Sequence, residues 1–138
     1  MSVALSDEDY QRLLAFRTGL RRYLHWAEEC AADAGITPAQ HQLLLAVRGR
    51  AEPGDPTVSD LAAELILRHH SVVELVDRAE AAGLVRRRPD RDDHRVVRVA
   101  LTNRGTRRLR KVAVQHLEEL ARTAPSLQPI WEGTREPG

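Results

Sequence analysis

TVSDLAAELILRHHSVVELVDRAEAAGLVRRRPDRDDHRVVRVALT, residues 57–102, decides the fold. Thr57 can cap a short helix with Asp60 three residues later, and Leu61, Ala62 and Leu65 give that helix a buried stripe. A break at about Ile66 to Arg68 precedes a second helix, about His69 to Ala82, with Val72, Val73, Leu75, Val76 and Ala79 toward the core and Gly83 as a left-handed stop. Two short helices joined by a tight turn make a helix-turn-helix, whose second member can lie in a DNA major groove. After Gly83 the period becomes alternating: Val97, Val99 and Leu101 share one strand face and Arg98 takes the other. Leu84 to Arg88 is the partner strand, and the polar loop Pro89 to His94 makes the hairpin a projecting wing.

Upstream, Thr37-Pro38-Ala39-Gln40 combines a cap, a proline at the first helical position and a returning glutamine, so a helix starts there and buries Leu43, Leu44, Leu45 and Val47. It stops before Glu52-Pro53-Gly54-Asp55-Pro56. Before it, Ser6 caps a long amphipathic helix over residues 7–34, with Leu13, Phe16, Leu20, Tyr23, Leu24, Ala27 and Ala31 at helical steps. Such a helix spans roughly 40 Å, more than this small core needs, so part of it is expected to pack on another subunit. Downstream, Thr102 caps a helix over 103–124 with Leu109, Val112, Ala113, Leu117, Leu120 and Ala121 at heptad-like steps. Pro125 is expected to end it, leaving 125–138 as a short irregular tail with at most one helical turn around Leu127 to Trp131.

The expected fold is thus mostly α, formally α+β: one winged helix-turn-helix domain over 1–138, with a lobe at 37–102 carried between long dimerisation helices. An aromatic content of 4% and a single Met leave Leu, Val and Ala to build the core, which suits helices. No apolar run is long enough to cross a bilayer and the N-terminus lacks a signal-peptide pattern, so no membrane partner and a cytoplasmic location are expected. The lone Cys30 fits a reducing compartment.

Charge is divided along the chain. Residues 84–111 hold ten Arg and one Lys against three Asp, a net +8, while the remainder carries −7. Localised positive charge is what a polyanion-binding face needs, although such runs also form plain solvated surfaces. Arg68, His69, His70, Ser71 and Glu74 fall near the N-terminal end of the second helix of the pair, where base edges and phosphates are met. In the wing, Arg91, His94 and Arg95 lie at the tip, where a cation can enter a minor groove, while Arg86, Arg87, Arg88 and Arg98 suit phosphates. Asp90, Asp92 and Asp93 oppose a pure polyanion patch, and Asp93 can pair with Arg95 or Arg91 to fix the loop.

Leu61-Ala62-x-x-Leu65, Val76-Asp77-Arg78 with Gly83-Leu84-Val85-x-Arg87, and Asp93-x-Arg95 with Val99-x-Leu101-Thr102-x-x-Gly105 together resemble the multiple-antibiotic-resistance regulator (MarR) family of bacterial transcription factors, over about Leu13 to Leu120. The resemblance implies a homodimer whose two winged lobes read halves of a palindromic operator on double-stranded DNA, with the helix from about Arg68 in the major groove and Arg95 in the wing at the minor groove. It also implies repression of nearby genes and release by a small effector bound between the dimer helices and the DNA-binding lobe. Three departures stand out: Arg68 where the family often has Ser, Glu74 where a basic residue is common, and a broken tail where relatives carry a sixth helix.

Tyr23, Trp26 and Cys30, with His41 and with His69 and His70 at the head of the recognition helix, are candidates for bordering that effector cleft, although aromatic stripes at helical spacing are more often core. Cys30, His41 and His116 form a conceivable zinc set without any metal-binding spacing, so no cofactor is expected. The chain has no Gly-rich phosphate loop, Gly-x-Ser-x-Gly or His-Glu-x-x-His, and an enzyme is not expected. The remaining alternative is a winged-helix protein-interaction module without sequence-specific DNA binding.

Overall fold

A computed structural model describes residues 4–132, with side chains described as far as Thr123. Its elements are α1 (Asp7–Asp33), α2 (Pro38–Gly49), α3 (Val58–Leu65), α4 (His69–Ala81), β1 (Val85–Pro89), β2 (Val97–Leu101) and α5 (Asn103–Glu132). Capping boxes start three of the helices. Ser6, Thr37 and Thr57 each accept from the backbone N–H three residues on, and Asp9, Gln40 and Asp60 accept in return from the cap N–H. The returned backbone bond is also what holds the carboxyls of Asp9 and Asp60 below their ordinary range.

Leu43 and Leu44 of α2, Leu61 of α3, Val72 and Val76 of α4, Val99 of β2 and Val112 of α5 are wholly buried and form one core. Leu45, expected inside, is 51% exposed. It sits about 100° around the helix from Leu44 and so turns out of the buried face. Of α1, the buried residues are Cys30 and Ala31 near its end, while Tyr10, Leu13, Leu14, Leu20 and Leu24 remain exposed. Val114, Leu117 and Leu120 of α5 are exposed too. No helix among the described residues is long and apolar enough to cross a membrane.

The hairpin is antiparallel, in register from Val85 opposite Leu101 to Pro89 opposite Val97. A third segment, unforeseen from sequence, edges it: Thr57 bridges Arg98, and the Val99 N–H donates to the Pro56 carbonyl at 2.8 Å. Pro56 lacks a donor but still accepts, so a proline-flanked loop can serve a sheet edge in this way. Where β2 passes into α5, the Thr102 hydroxyl donates to the Gly83 carbonyl at 2.6 Å and accepts from the Gly105 N–H at 3.0 Å. A Cβ on Gly105 would lie 2.0 Å from the Leu84 carbonyl oxygen, so the Leu-Thr-x-x-Gly junction needs glycine for close approach.

Pro125 does not end α5; the helix runs through it and Pro129 to Glu132. Each proline forfeits one backbone donor and crowds the preceding turn, which weakens a helix locally without obliging it to stop. The expected irregular tail is therefore helical as far as Glu132, and residues 133–138 lie outside the described ones.

Candidate nucleic-acid interface

Arg68 is the N-cap of α4 and makes no side-chain capping bond. Arg68, His69, His70 and Glu74 are exposed, Ser71 is half-buried, and none of the five enters an ion pair recorded among the described residues. The first turn of this helix therefore presents cationic and polar side chains to solvent, while Val72 and Val76 on the other face lock it to the core.

The wing arginines, alike in sequence, divide in the structure. Arg87 donates to Asp77 at 2.6 Å and Glu80 at 2.9 Å, both on α4, while its own backbone N–H reaches Glu80 at 2.9 Å. Arg98 donates to Asp90 at 2.5 Å and to the Asp55 carbonyl at 2.7 Å, and Arg88 pairs with the Asp55 carboxylate. These three, expected at phosphates, tie the wing to α4 and to the loop before α3. Arg86, Arg91 and His94 are exposed and, among the described residues, make no ion pair, so the wing's outward guanidinium groups are fewer than composition suggested.

Asp93 pairs with Arg95 at 3.1 Å, which also lowers its carboxyl pKa, and Arg95 is otherwise exposed. The stronger loop-fixing group is Asp90, for which the sequence names no partner. It takes the Arg98 guanidinium and the backbone N–H groups of Asp92 and Asp93, both at 3.0 Å, while its N–H donates to Val96 at 2.8 Å. The Arg98 bond, then the two backbone bonds, hold its carboxyl ionised below the usual range. An Asp next to a turn and eight residues from an Arg on the returning strand was the available signal.

Behind the lobe, α1, α2 and α5 bring together Tyr23, Trp26, His41 and His116. The Tyr23 hydroxyl lies 2.8 Å from His116 Nδ1, and the His116 ring stands 4.8 Å from both Trp26 and His41 between centroids. His116 Nε2 is buried without a hydrogen-bond partner. Burial pushes both imidazole pKa values down, with His41 lowered further by its neighbour His116. Cys30 donates to Gln115 at 2.6 Å and its thiol is pushed up by burial, as for an unreactive group. A cavity of about 260 Å³ opens beside Trp26, Cys30 and Gln115, with Glu29, Asp33, Glu118 and Arg122 completing its largely polar lining. Cys30, His41 and His116 do not form the metal set: among the described residues no three His, Cys, Asp or Glu groups converge suitably. His69 and His70 lie apart from this cluster, on the exposed head of α4.

A MarR family model matches residues 34–96, from the end of α1 to the wing loop. Over that stretch the chain is similar to the MarR family. An uncharacterized helix-turn-helix-type regulator of Bacillus subtilis, YsmB, is 33% identical over 62% of this chain and 56% of its own length. The MarR-type fold recurs in a MarR family protein of Bacillus stearothermophilus, 28% identical with TM-score 0.72 over 87% of this chain and 82% of that one. CouR from Rhodococcus jostii, solved with p-coumaroyl-CoA bound, is 27% identical with TM-score 0.68 over 97% of this chain and 85% of that one. The chain spans about half the length of the curated relatives it matches.

Proposed function

We propose that this chain is a MarR-family regulator that binds double-stranded DNA sequence-specifically, acting in the cytoplasm as a homodimeric repressor on a palindromic operator and released by a small-molecule effector. The observation that carries the reading is the pairing of two outward polar and cationic elements on one braced lobe: Arg68 with His69 and His70 at the head of α4, and Arg86 and Arg91 with His94 on the wing. Helix head and wing are the parts that meet the major groove, the phosphates and the minor groove in winged readers.

The exposed apolar side chains of α1 and α5 support dimerisation, since they line helices that extend past their own core. Effector release is supported by the cavity beside Trp26 and by the p-coumaroyl-CoA bound in the similar CouR structure. A ligand-to-DNA coupling of about 1 to 3 kcal/mol suffices for 5- to 150-fold release.

Footprinting of the purified protein on DNA flanking its own gene, with sedimentation on the same sample, tests this. A protected palindrome bound by a dimer is expected at about 150 mM salt, where screening suppresses purely ionic binding. Affinity no better than for random duplex would sink the reading in favour of a protein-interaction module.

A further inference from the structure

Three helices of this chain end in the same backbone pattern, and one of the three uses an anomalous residue. At the end of α1, Gly35 donates to Ala32 at 3.0 Å and Ile36 to Ala31 at 3.1 Å; at the end of α4, Gly83 donates to Glu80 and Leu84 to Ala79, both at 2.9 Å. The end of α3 repeats it, with Ile66 donating to Ala63 at 3.4 Å and Leu67 to Ala62 at 3.0 Å. Each left-handed cap residue has positive φ: +77° at Gly35, +75° at Gly83 and +55° at Ile66. Glycine suits that conformation, whereas a β-branched side chain is strained in it.

Ile66 gains nothing inside the fold to offset the strain, because it is 90% exposed. Of its neighbours, Leu65 packs against the core, while Leu67 is itself exposed beside Ile66. Among the described residues nothing covers the Ile66 side chain, which faces outward. It stands two residues before the cationic α4 cap Arg68 and three before His69, at the end of the helix proposed to enter the major groove.

We propose that Ile66 is a specificity-determining residue that packs on the 5-methyl group of a thymine at the edge of each half-site, an inference that rests on the DNA-reading function above. The thymine methyl is the apolar feature of major-groove base edges, and aliphatic side chains recognise it by contact. Continuity with Arg68, His69 and His70 favours this occupant: the Arg68 guanidinium and the neighbouring ring N–H donors bring phosphates to the same surface, and the apolar side chain then meets a base edge.

The test begins with duplexes selected by the full-length protein from a random pool. Each thymine of the selected half-site is replaced in turn by deoxyuridine, which removes only the methyl, and binding is compared for the wild type and for Ile66→Gly and Ile66→Ala. One deoxyuridine position is expected to weaken wild-type binding about fourfold per methyl, the value of one buried CH₂. Ile66→Gly is expected to raise the melting temperature by relieving the cap, yet to bind the thymine duplex more weakly and to ignore that same deoxyuridine; Ile66→Ala should lose the discrimination without the gain in stability.

Selection that enriches a sequence whose binding is indifferent to every deoxyuridine overturns the role of Ile66 alone. So does an Ile66→Gly protein that keeps the wild-type sensitivity, or that loses affinity equally on thymine and deoxyuridine duplexes, which would put the contact on the sugar-phosphate backbone. A selection that enriches nothing takes down the DNA-reading function and this inference with it.

Discussion

Arg87 of β1 donates from Nη2 to Oδ1 of Asp77 on α4 at 2.6 Å, spanning from the wing to the helix beside it. With Glu80 accepting from Nη1 at 2.9 Å, one guanidinium holds two carboxylates a helical turn apart, and β1 is fastened along the flank of α4. The relative placement of helix head and wing is therefore set inside the protein before any partner arrives.

Neighbouring arginines should accordingly fail in different ways. Arg87→Ala is expected to cost about 1 to 2 kcal/mol in urea denaturation, since it strips partners from Asp77 and Glu80 and frees the strand. Arg86→Ala and Arg91→Ala, whose side chains are exposed and not ion-paired in the structure, should leave stability alone. Each should instead make the plot of log affinity against log salt shallower by about 1 per protomer. Equal stability loss in Arg86→Ala and Arg87→Ala would refute the division.

Asp90→Ala should loosen the wing loop without unfolding the lobe. Its carboxylate takes two loop N–H groups and the Arg98 guanidinium, so the amides of Asp92 and Asp93 should exchange faster with deuterium while those of α4 keep their protection. DNA affinity should fall by about threefold to tenfold, because the loop must then be ordered on binding. Unchanged exchange at Asp92 and Asp93 would show that the turn stands without Asp90.

Substitution of two glycines separates conformation from space. Gly83→Ala places a Cβ at φ +75° with the Arg104 guanidinium 3.2 Å away, a flexible group that can move, so about 1 to 2 kcal/mol of destabilisation is expected. Gly105→Ala replaces a helical glycine, which by propensity alone gains about 1 kcal/mol. Its Cβ would nevertheless stand 2.0 Å from the Leu84 carbonyl, backbone that cannot retreat without opening the β2–α5 junction. Gly105→Ala should therefore lose more than about 3 kcal/mol, and a gain in stability would contradict the packing of that junction.

Local chemistry made most of the fold readable. Thr37 and Thr57 announced their helices because a capping box is written in four consecutive residues, and Gly83 announced the switch from helical to alternating period. Features decided by residues far apart in the chain were not readable. Arg86, Arg87 and Arg88 are identical side chains in a row, and only the distant acids Asp77 and Glu80 on one side and Asp55 on the other assign Arg87 and Arg88 to internal pairs. Leu45 and Pro125 misled in the same way, since burial of one depends on which helix face meets the core and the other can be absorbed where a helix continues on both sides. Tyr23 and His116 are 93 residues apart, so their contact had no local signature.

That buried cluster gives stability a pH dependence near neutrality. Desolvation lowers the pKa of His116, and desolvation together with the adjacent His116 lowers that of His41, so the folded protein prefers both rings neutral. An unfolded histidine titrates near about 6.5, and as pH falls through that value the unfolded chain takes up protons that the folded chain refuses. Stability contributed by the neutral rings is thus fully present above about 6.5 and declines as pH falls toward the folded values, below which the dependence levels off. The melting temperature should drop by a few degrees between pH 7.5 and pH 5.5 on this account, before the lowered carboxyls of Asp60 and Asp90 begin to protonate at more acid pH. His116→Gln keeps an acceptor for the Tyr23 hydroxyl and removes one titrating ring together with the pressure it exerts on His41, so its melting curve should be flatter over the same range. Melting temperatures of both proteins measured in steps across that range check this, and a wild-type slope that survives unaltered in His116→Gln would move the titration to some other group.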